Sequence, residues 1–140
     1  MKKTIVVLGA GSGCGNRVAE KFGNNDFRVI LMARNAEHLA EYEKEFNEKG
    51  IEVFTKVADA AQTETVTKAF DEVKAEFGVP DVLFYNVGIT SADADLKELK
   101  DADLLMKRYQ VDVAGAYHAI LQVLGTGKTK EAEMLGASIR

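Results

Sequence analysis

A chain of 140 residues is one domain with room for a moderate core, and 46% hydrophobic with 29% charged residues describes a globular protein, not a disordered one. The net charge of −4, with no basic cluster, excludes nonspecific nucleic-acid binding. A single cysteine excludes an internal disulfide and fits a reducing cytoplasm, and the apolar runs are too short for a secretory signal or a membrane span.

Ile5, Val6, Val7 and Leu8 form a continuous apolar run, the pattern of a parallel strand buried on both faces. Gly9, Gly13 and Gly15 follow in a GxxxGxG spacing, and Val18, Ala19 and Phe22 then recur at helical intervals. The commoner GxGxxG would begin at Gly9 and Gly11 and need glycine where Cys14 stands. A strand, a glycine turn and a helix N-terminus leave backbone N–H groups and a helix dipole free to hold a phosphate. Glycine is needed there because a Cβ would block both the turn and the approach of a pyrophosphate. Gly9, Gly11, Ser12, Gly13, Cys14 and Gly15 are therefore the candidate cradle. Ser12 offers a hydroxyl, and Cys14 fills the turn as a small residue.

The chain then alternates strand and helix with short turns. Residues 28–33 read as a second strand. Ala36–Lys49 reads as a helix with Leu39, Tyr42 and Phe46 inward, stopped by Gly50. Residues 51–57 form a third strand, and Thr63–Phe77 a helix with Val66, Phe70, Val73 and Phe77 inward, ending at Gly78. Pro80 and Asp81 introduce a fourth strand, 82–86. A polar loop near Thr90–Asp95 leads to a long helix over residues 97–124. This order predicts an α/β fold with a right-handed, doubly wound parallel sheet, no internal repeat and no second domain. His38 falls on the exposed side of its helix and His118 lies in the long helix. Without clustered ligands at metal spacing, no metal site is expected.

Residues 1–124 resemble the N-terminal half of the short-chain dehydrogenase/reductase family, NAD(P)-dependent oxidoreductases of Rossmann-like fold. The family's TGxxxGxG loop corresponds to Leu8–Gly15, with Leu8 in place of threonine. Its aspartate after the third strand matches Asp59, beside Ala60, and its NNAG motif appears as Tyr85-Asn86-Val87-Gly88. The resemblance implies a truncated sheet of about four strands in the order 3-2-1-4. It implies adenine contact at Asp59 and Ala60, and a sheet brace bordering the cofactor ribose at Asn86, Val87 and Gly88. A carboxylate closing the second strand would bond an adenosine ribose 2′-OH, but here Ala33, Arg34 and Asn35 stand instead. Arg34 is a forked cationic donor suited to phosphate, and the resemblance implies NADP in preference to NAD.

The family's chemistry departs from this sequence. Its YxxxK places a lysine on the tyrosine's helical face to lower that tyrosine's pKa. The four tyrosines here are followed at that offset by Phe46, Ile89, Val113 and Leu121. In the family's vNxxG pattern Asp112 replaces asparagine, keeping an acceptor and losing the amide donors. No catalytic residue is assigned.

Residues 125–140 form an atypical tail. Gly-Lys-Thr at 127–129 falls short of a nucleotide-binding P-loop because Gln122 stands where that motif needs glycine. The family-like sequence stops near Leu124; a change of reading frame there and a genuine tail are the two readings, and the gene's nucleotide sequence separates them. Three classes of function remain: the cofactor-binding half of an NADP(H) oxidoreductase, a dinucleotide-binding module without turnover, or a folded remnant. A homo-oligomer is expected, through the apolar stripe Leu104, Leu105, Tyr109, Val113, Tyr117, Ile120 and Leu124, or through an open edge at strand 82–86.

Overall fold

The computed structural model describes residues 2–87, 101–124 and 133–135. Strands β1 (Thr4–Leu8), β2 (Arg28–Ala33), β3 (Val53–Val57), β4 (Val82–Tyr85) and β5 (Glu133–Leu135) form one parallel sheet in the order β3-β2-β1-β4-β5. The first four strands stand in the expected order. β1 is central and wholly buried because neighbours pair with it on both sides and helices cover both faces.

Alternation along the strands sorts the core into two layers. Val6, Leu8, Ile30, Met32, Leu83 and Tyr85 face one side. There they meet Val66, Ala69, Phe70 and Val73 of helix α3 (Thr63–Phe77), with Ala116, Ala119 and Val123 further along the chain. Ile5, Val7, Val29, Leu31, Val53 and Val82 face the other side, against Ala19 of α1 (Cys14–Gly23) and Leu39 and Phe46 of α2 (Ala36–Glu48). Val18, Phe22, Tyr42 and Phe77 pack at the margins of these layers.

β3 begins two residues later than expected because Ile51 belongs to the end of α2. Its N–H donates to the Phe46 carbonyl at 3.0 Å, and the Gly50 N–H donates to that of Asn47 at 3.0 Å. Gly50, at φ +74°, supplies the left-handed turn this closure requires.

The long helix runs through three contiguous pieces: α4 (Asp101–Arg108), a π-helical segment (Tyr109–Gly115) and α5 (Ala116–Leu124). The expected residues 97–100 and the Thr90–Asp95 loop lie outside the described residues. None of the described helices is long and apolar enough to cross a membrane.

One expectation is corrected. Strand 82–86 is not an open edge: β5 pairs beside it in parallel, with Val82 opposite Glu133 and Phe84 opposite Leu135. Three residues with a single apolar pair carry too little pattern to be read as a strand from sequence.

Candidate cofactor site

Parallel register brings the C-terminal ends of four strands level. Leu8 lies opposite Met32 and Tyr85, and Ala33 lies opposite Val57. The loops that follow therefore line one edge of the sheet, where open α/β sheets bind ligands. This edge carries Gly9–Gly15, Arg34 and Asn35, Asp59 and Ala60, and Asn86 and Val87; Gly88 lies outside the described residues.

The four glycines of the first loop divide into two kinds. Gly9 has φ +99°, and a Cβ on it would stand 2.6 Å from the Asn86 carbonyl oxygen. A Cβ on Gly15 would stand 2.8 Å from the Gly9 oxygen and 3.3 Å from the Asn86 side-chain nitrogen. These two let the β1–α1 turn lie against the end of β4. Gly11 and Gly13 are different: a Cβ at either meets nothing within 4 Å, and neither has a positive φ. No contact with the described residues requires glycine at those two positions.

The loop's hydrogen bonds show the same division. The N–H groups of Gly9 and Ala10 donate to the Met32 carbonyl at 2.9 and 3.0 Å. The Gly11 N–H donates to Oδ1 of Asn16 at 3.1 Å. Among the described residues, nothing accepts from the N–H groups of Ser12, Gly13, Cys14 and Gly15. These four amides open α1, whose N-terminal positive pole they share. Ser12, Gly13 and Cys14 are exposed. Asn16, buried and shaping the loop, is the residue sequence reading missed; a polar residue just inside a helix after the last glycine was its only signal.

Arg34 is exposed at the end of β2 and makes no ion pair among the described residues. Asn35 serves as N-cap of α2, its Oδ1 accepting from the Glu37 and His38 N–H groups at 2.9 and 3.0 Å. Asp59 accepts the Ala61 N–H on Oδ1 at 2.9 Å, and Thr65 Oγ1 accepts the Asp59 N–H at 2.8 Å, which fixes this turn with one carboxylate oxygen left over. Asn86 pairs through its N–H with the Leu8 carbonyl at 2.8 Å, and its side chain lies beside Gly15.

Behind this edge Tyr85 is buried and donates its hydroxyl to the Val111 carbonyl in the π-helical segment. Burial, with the Asp112 and Asp59 carboxylates facing it, pushes that hydroxyl well above the usual phenol range, so it stays a neutral donor. Gln110 Nε2 donates to the Ala61 carbonyl at 2.7 Å. One buried oxygen of Asp112 has no donor among the described residues.

Residues 3–133 match the short chain dehydrogenase family. The chain is 31% identical over 120 residues to a diacetyl reductase [(S)-acetoin forming] of Staphylococcus epidermidis, covering 86% of this chain and 46% of that protein. The fold superposes on an actinorhodin polyketide ketoreductase solved with NADPH with a TM-score of 0.84, at 28% identity, covering 96% of this chain and 52% of the other. It superposes equally on an alcohol dehydrogenase from the archaeon Thermococcus sibiricus complexed with 5-hydroxy-NADP, with a TM-score of 0.83 at 26% identity, over 97% of this chain and 57% of that one. The chain belongs to the short-chain dehydrogenase family. It spans about half the length of the relatives it matches.

Proposed function

We propose that this chain binds NADP(H) along the C-terminal edge of its sheet, as the cofactor-binding half of a short-chain dehydrogenase-type oxidoreductase. One observation carries the reading: four amides at the N-terminus of α1 have no acceptor among the described residues, beside two glycines where an added Cβ would meet no described atom within 4 Å. An anionic pyrophosphate satisfies both, accepting from the amides and occupying the space at Gly11 and Gly13. Asp59, Ala60, Asn86 and Val87 line the adenosine and ribose side. Arg34, exposed and without an ion-pair partner among the described residues, holds the 2′-phosphate that distinguishes NADP from NAD. Structural neighbours solved with NADPH and with 5-hydroxy-NADP support the same choice.

Residues 1–124 form the dinucleotide-binding part, and within 125–140 Glu133–Leu135 add the fifth strand to its sheet. The protein is cytoplasmic and associates with copies of itself through the exposed apolar side of the long helix. Leu105, Met106, Tyr109, Val113, Tyr117 and Leu121 are all more than two-fifths exposed there, and large exposed apolar groups gathered on one helix favour association. Leu104, Ile120 and Leu124 turn partly inward.

Titration of NADPH fluorescence with the wild type and with Gly13→Val tests the reading. Gly13→Val puts a side chain into the pyrophosphate space from a position where the Cβ meets no described atom within 4 Å, so binding is lost while the melting transition stays cooperative. Equal affinity in both proteins refutes the assignment.

A further inference from the structure

We propose that Tyr85 is a positioning residue for the long helix: its hydroxyl, bound to the Val111 carbonyl, pins the π-helical segment and so keeps one apolar stripe straight along the helix. The stripe is Leu105, Tyr109, Val113, Tyr117 and Leu121, five residues spaced by four, each between 43% and 67% exposed. An uninterrupted α-helix does not keep such a set on one face. At 3.6 residues per turn, each step of four residues overshoots a full turn by about 40°, so four steps drift by about 160°. In a π-helix the bonds run from i to i+5 and each turn holds more than four residues, so a step of four falls short and the drift reverses. The segment Tyr109–Gly115 spans the middle steps of the stripe. Its reversed drift offsets that of α4 and α5. The opposite side of the helix obeys the same count: Val111, Gly115, Ala119 and Val123, also spaced by four, are all buried.

The segment is held in this form from β4. A carbonyl in an α-helix accepts from the N–H four residues on, and a side chain inserted into that ladder opens it. The Tyr85 hydroxyl makes such an insertion at Val111. Gly115 marks how closely the backbone is drawn in. A Cβ there would stand 2.7 Å from the Tyr85 hydroxyl oxygen, 3.0 Å from the Ala60 carbonyl oxygen and 3.1 Å from that of Gln110. The Gln110 bond to the Ala61 carbonyl fastens the segment at a second point. Neither Tyr85 nor the fastening loop contributes to the stripe itself.

The consequence for association rests on the proposed contact between copies of this chain, and the test separates the two. In the full chain, Tyr85→Phe keeps the buried ring and removes only the hydroxyl. The carbon-13 shift of the Val111 carbonyl and the amide shifts of residues 109–115 should change, and sedimentation equilibrium should show association weakened about tenfold or more with the stripe residues intact. Unchanged shifts overturn the pin. Changed shifts with unchanged association overturn the link between Tyr85 and the stripe. A wild type that is monomeric at every concentration overturns the association reading, and the carbonyl and amide shifts then decide the pin alone. If Tyr85→Phe fails to fold, the wild type decides: a slowly exchanging Tyr85 hydroxyl proton in contact with Val111 supports the pin, and its absence overturns it.

Discussion

Replacing Gly9 with alanine isolates the structural half of the glycine loop from its ligand-binding half. Gly9 sits at φ +99°, where an L side chain is strained, at a cost of about 1–3 kcal/mol. Its new methyl would also stand 2.6 Å from the Asn86 carbonyl oxygen and 2.9 Å from a methyl of Val87. The backbone of β1 or β4 must shift to relieve this, which overpacking data place at about 1–3 kcal/mol. The sum, about 2–6 kcal/mol, is a large part of the roughly 5–15 kcal/mol that holds a domain folded. For a chain of this length it corresponds to a fall in melting temperature of order 10 °C. Gly11→Ala is the control: nothing lies within 4 Å of its Cβ, and stability should change by no more than about 0.5 kcal/mol. Urea denaturation of both variants, followed by circular dichroism, measures the difference. Equal stability of the two, or a larger loss in Gly11→Ala, would refute the division of the glycines into fold-bearing and ligand-facing.

Arg34→Ala should weaken NADPH binding by about 1.5–3 kcal/mol for a lost hydrogen bond between charged groups, and leave NADH nearly unchanged; parallel losses in isothermal titration would make Arg34 a surface residue. Tyr117→Glu places a carboxylate in the middle of the exposed stripe and should shift light scattering at micromolar concentration towards monomer, whereas an unaltered oligomer locates the contact elsewhere. Without a tyrosine-lysine pair, the 140-residue chain should reduce no member of a carbonyl panel above background, and turnover that survives rigorous purification would show that another group supplies the proton.

Much of this molecule is written in local pattern. The run Ile5–Leu8 and its successors read as buried parallel strands because an apolar residue at every position has no other economical place. The glycines at 50 and 78 closed their helices as expected, both at a positive φ that glycine adopts most readily. What stayed hidden depends on contacts between distant residues. The π-helical segment is set by Tyr85, 26 residues before Val111, and nothing in the sequence Tyr109–Gly115 announces it. The strand Glu133–Leu135 exists because β4 offers an edge, not because its three residues favour extension. At the site, the glycine loop was read from its spacing, whereas Asp59 came from the family resemblance. The cap formed by Asn35 was not separated from a ligand role, because the same amide serves either purpose.

Nuclear magnetic resonance of the wild-type chain during NADPH addition tests the central claim most directly, because it reports the four amides at the start of α1 one by one. The account predicts that the N–H signals of Ser12, Gly13, Cys14 and Gly15 move furthest, with smaller changes at Arg34, Asp59 and Asn86, and that those of Gly9 and Ala10, already bonded to Met32, move little. Saturation of binding without movement of these four amides, or no change anywhere at millimolar NADPH, would contradict it.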